Sequence, residues 1–265
     1  MDDLSKQKTK LRAQLEQSGA ITTNSTFWEN GSPQKVETYC QGTLSSISAF
    51  AEDGHLSHRF KLDACGRPFF LVFNDEREEP DGYFFSFNQW WGLSAIEHYV
   101  HGVLEGPTLS FDEATGKITG LFSYADGELN GLSYVFDPDT DEIIEEESGF
   151  FVDGNRLEPL QDNDKALLVA SGIAEDRLNG ASSRTIDKIM AFSQAIYDGM
   201  DGIPSVAYFQ SGQFLKDFIR QDLEETSFRP AFLVARSYVK KATECFQKEK
   251  QQHLTNKNKR KSVKL

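Results

Sequence analysis

Asp137-Pro138-Asp139-Thr140-Asp141 places three carboxylates at alternate positions, the way a calcium loop of the EF-hand kind begins, and Glu145, Glu146 and Glu147 follow. Such a loop needs Gly at its sixth position and a bidentate Glu at its twelfth, where this chain has Glu142 and Ser148. An ordinary hairpin turn is the preferred reading, ahead of adventitious Ca²⁺ binding. His98-Tyr99-Val100-His101 is the densest histidine pair. On a strand, residues three apart face opposite sides, so the two imidazoles diverge, and no nearby Cys completes a zinc set. His55 and His58 fail for the same reason. Nucleophilic catalysis would need Ser or Cys beside a base, but there is no Gly-x-Ser-x-Gly elbow, and Cys65 before Gly66 reads as a small apolar strand residue. A Gly-x-x-x-x-Gly-Lys phosphate loop is missing too. Glu76-Arg77-Glu78-Glu79 and Glu145–Glu147 read as solvated loops or edges. The expectation is a protein that is not an enzyme, with no cofactor and no metal ligands.

The aromatic run Phe84-Phe85-Ser86-Phe87-Asn88-Gln89-Trp90-Trp91 is the strongest candidate for binding chemistry. It does not alternate, so both faces of its strand are apolar at that point. One face is expected to meet helices from the C-terminal part of the chain. The other is expected to form a partner groove, with Phe84, Phe87, Trp90 and Trp91 as binding residues and the two tryptophans as its hot spot.

The elements that must position these residues are written in glycine. Phe27-Trp-Glu-Asn-Gly31, Tyr39-Cys-Gln-Gly42, Phe50-Ala-Glu-Asp-Gly54, Tyr99-Val-His-Gly102, Tyr124-Ala-Asp-Gly127 and Phe151-Val-Asp-Gly154 recur at a dozen residues or twice that. Asn-Gly and Asp-Gly mark tight hairpin turns, and recurrence at a fixed period marks a repeat architecture. A shift of 25 residues lays Gly102 on Gly127, Leu104 on Leu129, Gly106 on Gly131, Phe111 on Phe136, Asp112 on Asp137 and Thr115 on Thr140. The same shift lays Asp137–Asp141 on Asp112–Gly116, which is why the turn outweighs the calcium loop. Two strands of about 5–6 residues, each with a short turn, fill that period. The expected fold class is α+β: an antiparallel β-hairpin repeat sheet over 25–158, then a helical region over 160–252.

Here the residues carry a family resemblance. The pattern aromatic-x-x-Gly-x-Leu-x-Gly-x-x-x-x-Phe, present as Tyr99 to Phe111 and Tyr124 to Phe136, resembles the MORN repeat. It is similar above all to the shorter bacterial variant found in YwqK-type antitoxin and immunity-like proteins, whose Tyr-Tyr-x-Asn-Gly opening Phe27-Trp28-Glu29-Asn30-Gly31 resembles. The resemblance covers about half the chain; the step from Gly66 to Gly82 and the stretch Asn88–His98 depart from it. It implies a protein-binding module, with a toxin or effector as partner.

Net charge is −13 over 265 residues. An acidic body argues against nonspecific binding of nucleic acid or anionic lipid by the folded part, and suits a basic protein partner. No apolar run reaches the ~18–20 residues of a membrane span, and the N-terminus lacks a signal-peptide core. Three separated cysteines make no disulfide framework, so a cytoplasmic, reducing compartment is the simplest expectation. Residues 1–24 read as an N-terminal arm with Thr22–Thr26 as a polar linker. Asn163-Asp164 is expected to cap a helix bearing Leu167, Leu168, Val169 and Ile173. Ser183 to Ile196 reads as an amphipathic helix stopped by Gly199, and Ser211 to Leu223 as another. A last helix after Pro230 carries Phe232, Val239 and Phe246 at heptad spacing. The basic stretch 253–265 is expected to be a disordered tail, solubilising rather than targeted. A scaffold self-associating through sheet edges or the last helix is the second reading. An enzyme with its active part in the helical region, around Asp187, Cys245 or His253, is the third.

Overall fold

The computed structural model describes residues 19–62, 68–73, 81–88, 92–180, 182–199, 204–225, 232–237 and 240. Within them an antiparallel sheet of hairpins is followed by helices, the α+β order expected. The strands are β1 Ile21–Phe27, β2 Pro33–Cys40, β3 Thr43–Phe50, β4 Leu56–Leu62, β5 Pro68–Phe73, β6 Gly82–Phe87 and β7 Leu93–Val100. They continue as β8 Val103–Leu104, β9 Gly106–Phe111, β10 Ile118–Ala125, β11 Glu128–Leu129, β12 Gly131–Val135, β13 Gly149–Val152 and β14 Asn155–Glu158. Strands lie beside their sequence neighbours; β8 and β11 pair with the outer ends of β7 and β10, ahead of β9 and β12.

Local chemistry fixes the turns. Gln41-Gly42, His101-Gly102, Asp126-Gly127 and Asp153-Gly154 each have positive φ at both residues, the type I′ geometry that matches strand twist in a two-residue hairpin. His101 is therefore a turn residue rather than a strand residue. The 25-residue shift reappears in the register. Tyr99↔Leu104 and Ile96↔Leu109 in one hairpin recur as Tyr124↔Leu129 and Leu121↔Tyr134 in the next. Between each pair of contacts the returning strand spends two more residues than its partner, and the bulge falls at Glu105-Gly106 and at Asn130-Gly131.

Asp137–Asp141 is a turn. The Asp137 Oδ1 accepts from the backbone nitrogens of Asp139 and Thr140, both at 2.8 Å. Asp141 takes φ +65° where the preceding copy has Gly116 at +71°, and its carboxylate holds the Lys117 ammonium at 2.8 Å.

One cross-strand row forms the spine of the sheet: Ile47, Phe60, Leu71, Phe85, Ile96, Leu109, Leu121 and Tyr134 are successive register partners across eight strands. Side chains from the helices join this row in a single apolar cluster. The helices are α1 Asp162–Ser171, α2 Ile173–Asp176, a 3-10 turn at Arg177–Asn179, α3 Ser183–Asp198, α4 Val206–Gln210 and α5 Gln213–Glu225, with a further helical turn at 232–237. α3 lies across β9, β10 and β12. The rings of Tyr134 and Phe192 are 6.1 Å apart, and Phe192 and Phe209 5.0 Å. Phe232 sits 6.3 Å from Phe85. Each large apolar side chain buried fully here contributes about 1.5–3 kcal/mol.

Caps set the helix ends. Ser182 accepts from the Thr185 nitrogen at 3.2 Å to start α3, which ends at Gly199. α1 starts one residue before Asn163; the Asp164 carboxylate reaches back to the Gln161 nitrogen at 2.8 Å, and Val169 faces solvent rather than core. At the other end of the chain the supposed linker Thr22–Thr26 is strand β1. Ile and Thr suit an extended pleat, and an edge strand with both faces wet has no call for apolar residues. Residues 1–18, Cys65, Glu76–Glu79, Val239, Cys245, Phe246 and 253–265 lie outside the described residues. Among the described residues no helix is long and apolar enough to cross a membrane.

The face turned from the helices

The strand Gly82–Phe87 divides its aromatic residues between the two faces of the sheet. Phe85 and Phe87 enter the cluster under the helices. A bulge at Ser94 turns Leu93 to the same side, opposite Phe87. Phe84 is also buried, 7% exposed, but on the other face, where its ring lies 5.5 Å from that of Tyr99. Of the four expected binding residues, Phe84 and Phe87 thus sit back to back. Trp90 and Trp91 lie outside the described residues.

On the face turned from the helices, Phe84 is the register partner of Glu97. Alternation places Tyr99 on the same side one step along β7. Phe122 and Tyr124 occupy the matching positions of β10, with ring centroids 6.5 Å apart. Thr108 is the register partner of Phe122, and the Ile96↔Leu109 pairing sets it beside Glu97. Its side chain is buried, and among the described residues its Oγ1 has no hydrogen-bond partner; the same is true of Ser133, at the equivalent position of the next hairpin.

The electrostatics tie three of these groups together. Burial pushes the Glu97 carboxyl above its ordinary value, and a hydrogen bond from the Tyr99 hydroxyl pulls it partly back. Burial, and then the neighbouring Glu97 charge, push the Tyr99 phenol up to about 12. Tyr124 is raised by burial first and by Glu97 second. The arrangement is a half-buried carboxylate among aromatic rings, suited to holding a cation or an amphipathic side chain.

Several other titratable groups tie elements of the fold together. His98 Nδ1 lies 2.9 Å from the Glu105 carbonyl oxygen, and its ring is 4.9 Å from that of Tyr83. The Glu105 carboxylate accepts from the Asp126 nitrogen at 2.9 Å and from the Tyr197 hydroxyl of α3, strapping two hairpins to the helix. Burial, then that carboxylate, hold the Tyr197 phenol well above its ordinary range. Burial lowers the His58 imidazole. Asp187 is buried within α3, and Cys40 is exposed.

Sequence reasoning singled out the Phe84–Trp91 run and passed over Glu97, Tyr99, Phe122 and Tyr124. The signal was present: the 25-residue shift lays Tyr99 on Tyr124 and Glu97 on Phe122. No protein-family model and no curated protein matches this chain.

Proposed function

We propose that this protein is a non-enzymatic protein-interaction module of MORN-like hairpin repeats, binding a basic protein partner through the aromatic-rich face turned from its helices. The observation that carries this reading is the row Phe84, Tyr99, Phe122 and Tyr124. Helices fill one side of these hairpins, while the other presents the part-exposed rings of Tyr99, Phe122 and Tyr124, with the buried Phe84 beside them, around a carboxylate. Aromatic side chains of this kind supply contact area at low entropic cost, and the charge of −13 speeds encounter with a cationic surface. The likeness to YwqK-type antitoxin and immunity-like proteins makes a toxin or effector the partner to seek, in the cytoplasm. Capture from host extract with the full chain and with a Tyr99→Ala/Tyr124→Ala variant tests it. One stoichiometric basic protein should bind the first and be lost from the second, with the circular dichroism of the two alike. Equal capture by both defeats the assignment of the face.

A scaffold that pairs through its sheet edge is the second reading, favoured by β1. Ile21–Phe27 has no charge and no proline, the usual guards of an edge strand, and its Phe27 is 61% exposed. Sedimentation would then give an oligomer that grows with concentration and dissociates on Asn24→Lys.

A further inference from the structure

Taking that binding face as given, we propose that Glu97, flanked by Tyr99 and Tyr124 and facing Phe84, is the receptor for one cationic side chain, lysine or arginine, of the partner. The fold does not ask for an acid at this position. Its counterpart one repeat on is Phe122, whose backbone has the same register with its neighbours, so a phenyl ring serves the sheet equally well. What the carboxylate adds is charge, in a place where charge is costly. Among the described residues the influences acting on it are burial and the Tyr99 hydroxyl, with no cation to offset the lost hydration. Lys117, in the turn that closes the next hairpin, is engaged by Asp141 instead.

A lysine or arginine entering here meets three complementary groups. The carboxylate supplies the opposite charge in a medium of reduced dielectric, where the pair is stronger than in water. The rings of Tyr99, Tyr124 and Phe84 offer electron-rich faces to an ammonium or guanidinium group. Thr108, 6% exposed and with no partner for its Oγ1 among the described residues, is an acceptor for a remaining N–H. A buried hydroxyl without a partner is uncommon enough to need a reason, and a visiting donor supplies one.

Fluorescence anisotropy of labelled decalysine against the full-length protein tests this, with Glu97→Gln and, as a control for general acidity, Asp139→Asn in an exposed turn. Glu97→Gln should weaken binding by about tenfold or more, the scale for a desolvated charge pair, while the control changes it by no more than about twofold. Equal small effects of the two variants would overturn the proposal, because they would mean that decalysine reads only net charge. A thermal midpoint of Glu97→Gln at or above that of the parent shows that the variant is folded. The captured partner separates this inference from the reading beneath it. If Tyr99→Ala/Tyr124→Ala releases that partner and Glu97→Gln does not, the binding face stands and the cation receptor falls. If neither variant releases it, both fall.

Discussion

Arg177, in the 3-10 turn after α2, docks the helical region on the hairpins, and its removal should cost about 2–3.5 kcal/mol. Its side chain is 3% exposed. Nη1 donates to the Ile118 carbonyl at 3.3 Å, Nη2 donates to the Asp141 carbonyl, and the guanidinium carbon lies 3.8 Å from the centre of the Phe136 ring. Two hydrogen bonds from a charged donor contribute about 1.5–3 kcal/mol each, and the ring contact about 1 kcal/mol. Against these stands the desolvation of the guanidinium, which lowers its pKa and is only partly compensated by the Asp141 carboxylate 4.0 Å away. Desolvation of a buried ion costs several kcal/mol, so the net is about half the gross sum. Arg177→Ala should lose about 2–3.5 kcal/mol in urea unfolding, or roughly 5–10 °C in thermal midpoint for a domain of this size. Arg177→Met keeps the stem volume, sheds the desolvation cost and should lose about half as much. Tyrosine fluorescence and far-ultraviolet dichroism must give coincident transitions for these values to hold. A loss below about 1 kcal/mol for Arg177→Ala, or a methionine variant as unstable as the alanine one, would refute the docking argument.

Three further outcomes can be checked on the same protein. A Cβ at Gly120 would lie 2.2 Å from the Phe122 ring and 2.3 Å from the Ser110 Oγ; Gly120→Ala should lower stability by about 1–3 kcal/mol and move Phe122, visible as an altered near-ultraviolet spectrum. Tyr197→Phe should cost about 1–2 kcal/mol by leaving the Glu105 carboxylate one donor short, and should remove a phenol titrating well above the ordinary range from a spectrophotometric titration. The Glu97 carboxyl is raised above its ordinary 4.5, so its contribution is fully present below that value and is lost as pH rises through the higher folded pKa. Glu97→Gln should therefore raise the thermal midpoint above that window and match the parent below it; a gain that ignores pH would defeat the desolvation argument.

Much of the fold was legible because its demands are local. A two-residue hairpin needs positive φ, and Gly in the second place of Asp126-Gly127 or Asp153-Gly154 announces that need without reference to the rest of the chain. The caps of α3 are legible for the same reason. Other features depend on distant chain. Which side Phe84 and Phe87 take follows from which face of the sheet the helices cover, and an unalternating run carries no mark of that. Thr22–Thr26 looks like a linker because hydrophobic patterning reports burial, and an edge strand wet on both faces buries little. Arg177 sits 59 residues from the carbonyl of Ile118, a separation at which a single basic residue gives no sequence signal at all.

The candidate site was harder to see than the fold because it is defined by a difference between repeats. Residues that recur at the 25-residue shift, such as Tyr99 with Tyr124 and Leu104 with Leu129, are those that the hairpin itself requires. A position where two copies share backbone register and differ in chemistry is released from that requirement. Glu97 against Phe122 is such a position, and the difference runs toward lower stability, since burial opposes the carboxylate's charge. Thr108 and Ser133 are the complementary case: both copies keep a buried hydroxyl with no partner among the described residues, on the face turned from the helices. An acid that the scaffold does not need, beside a hydroxyl that the scaffold does not satisfy, is what a surface looks like when the missing groups belong to another molecule.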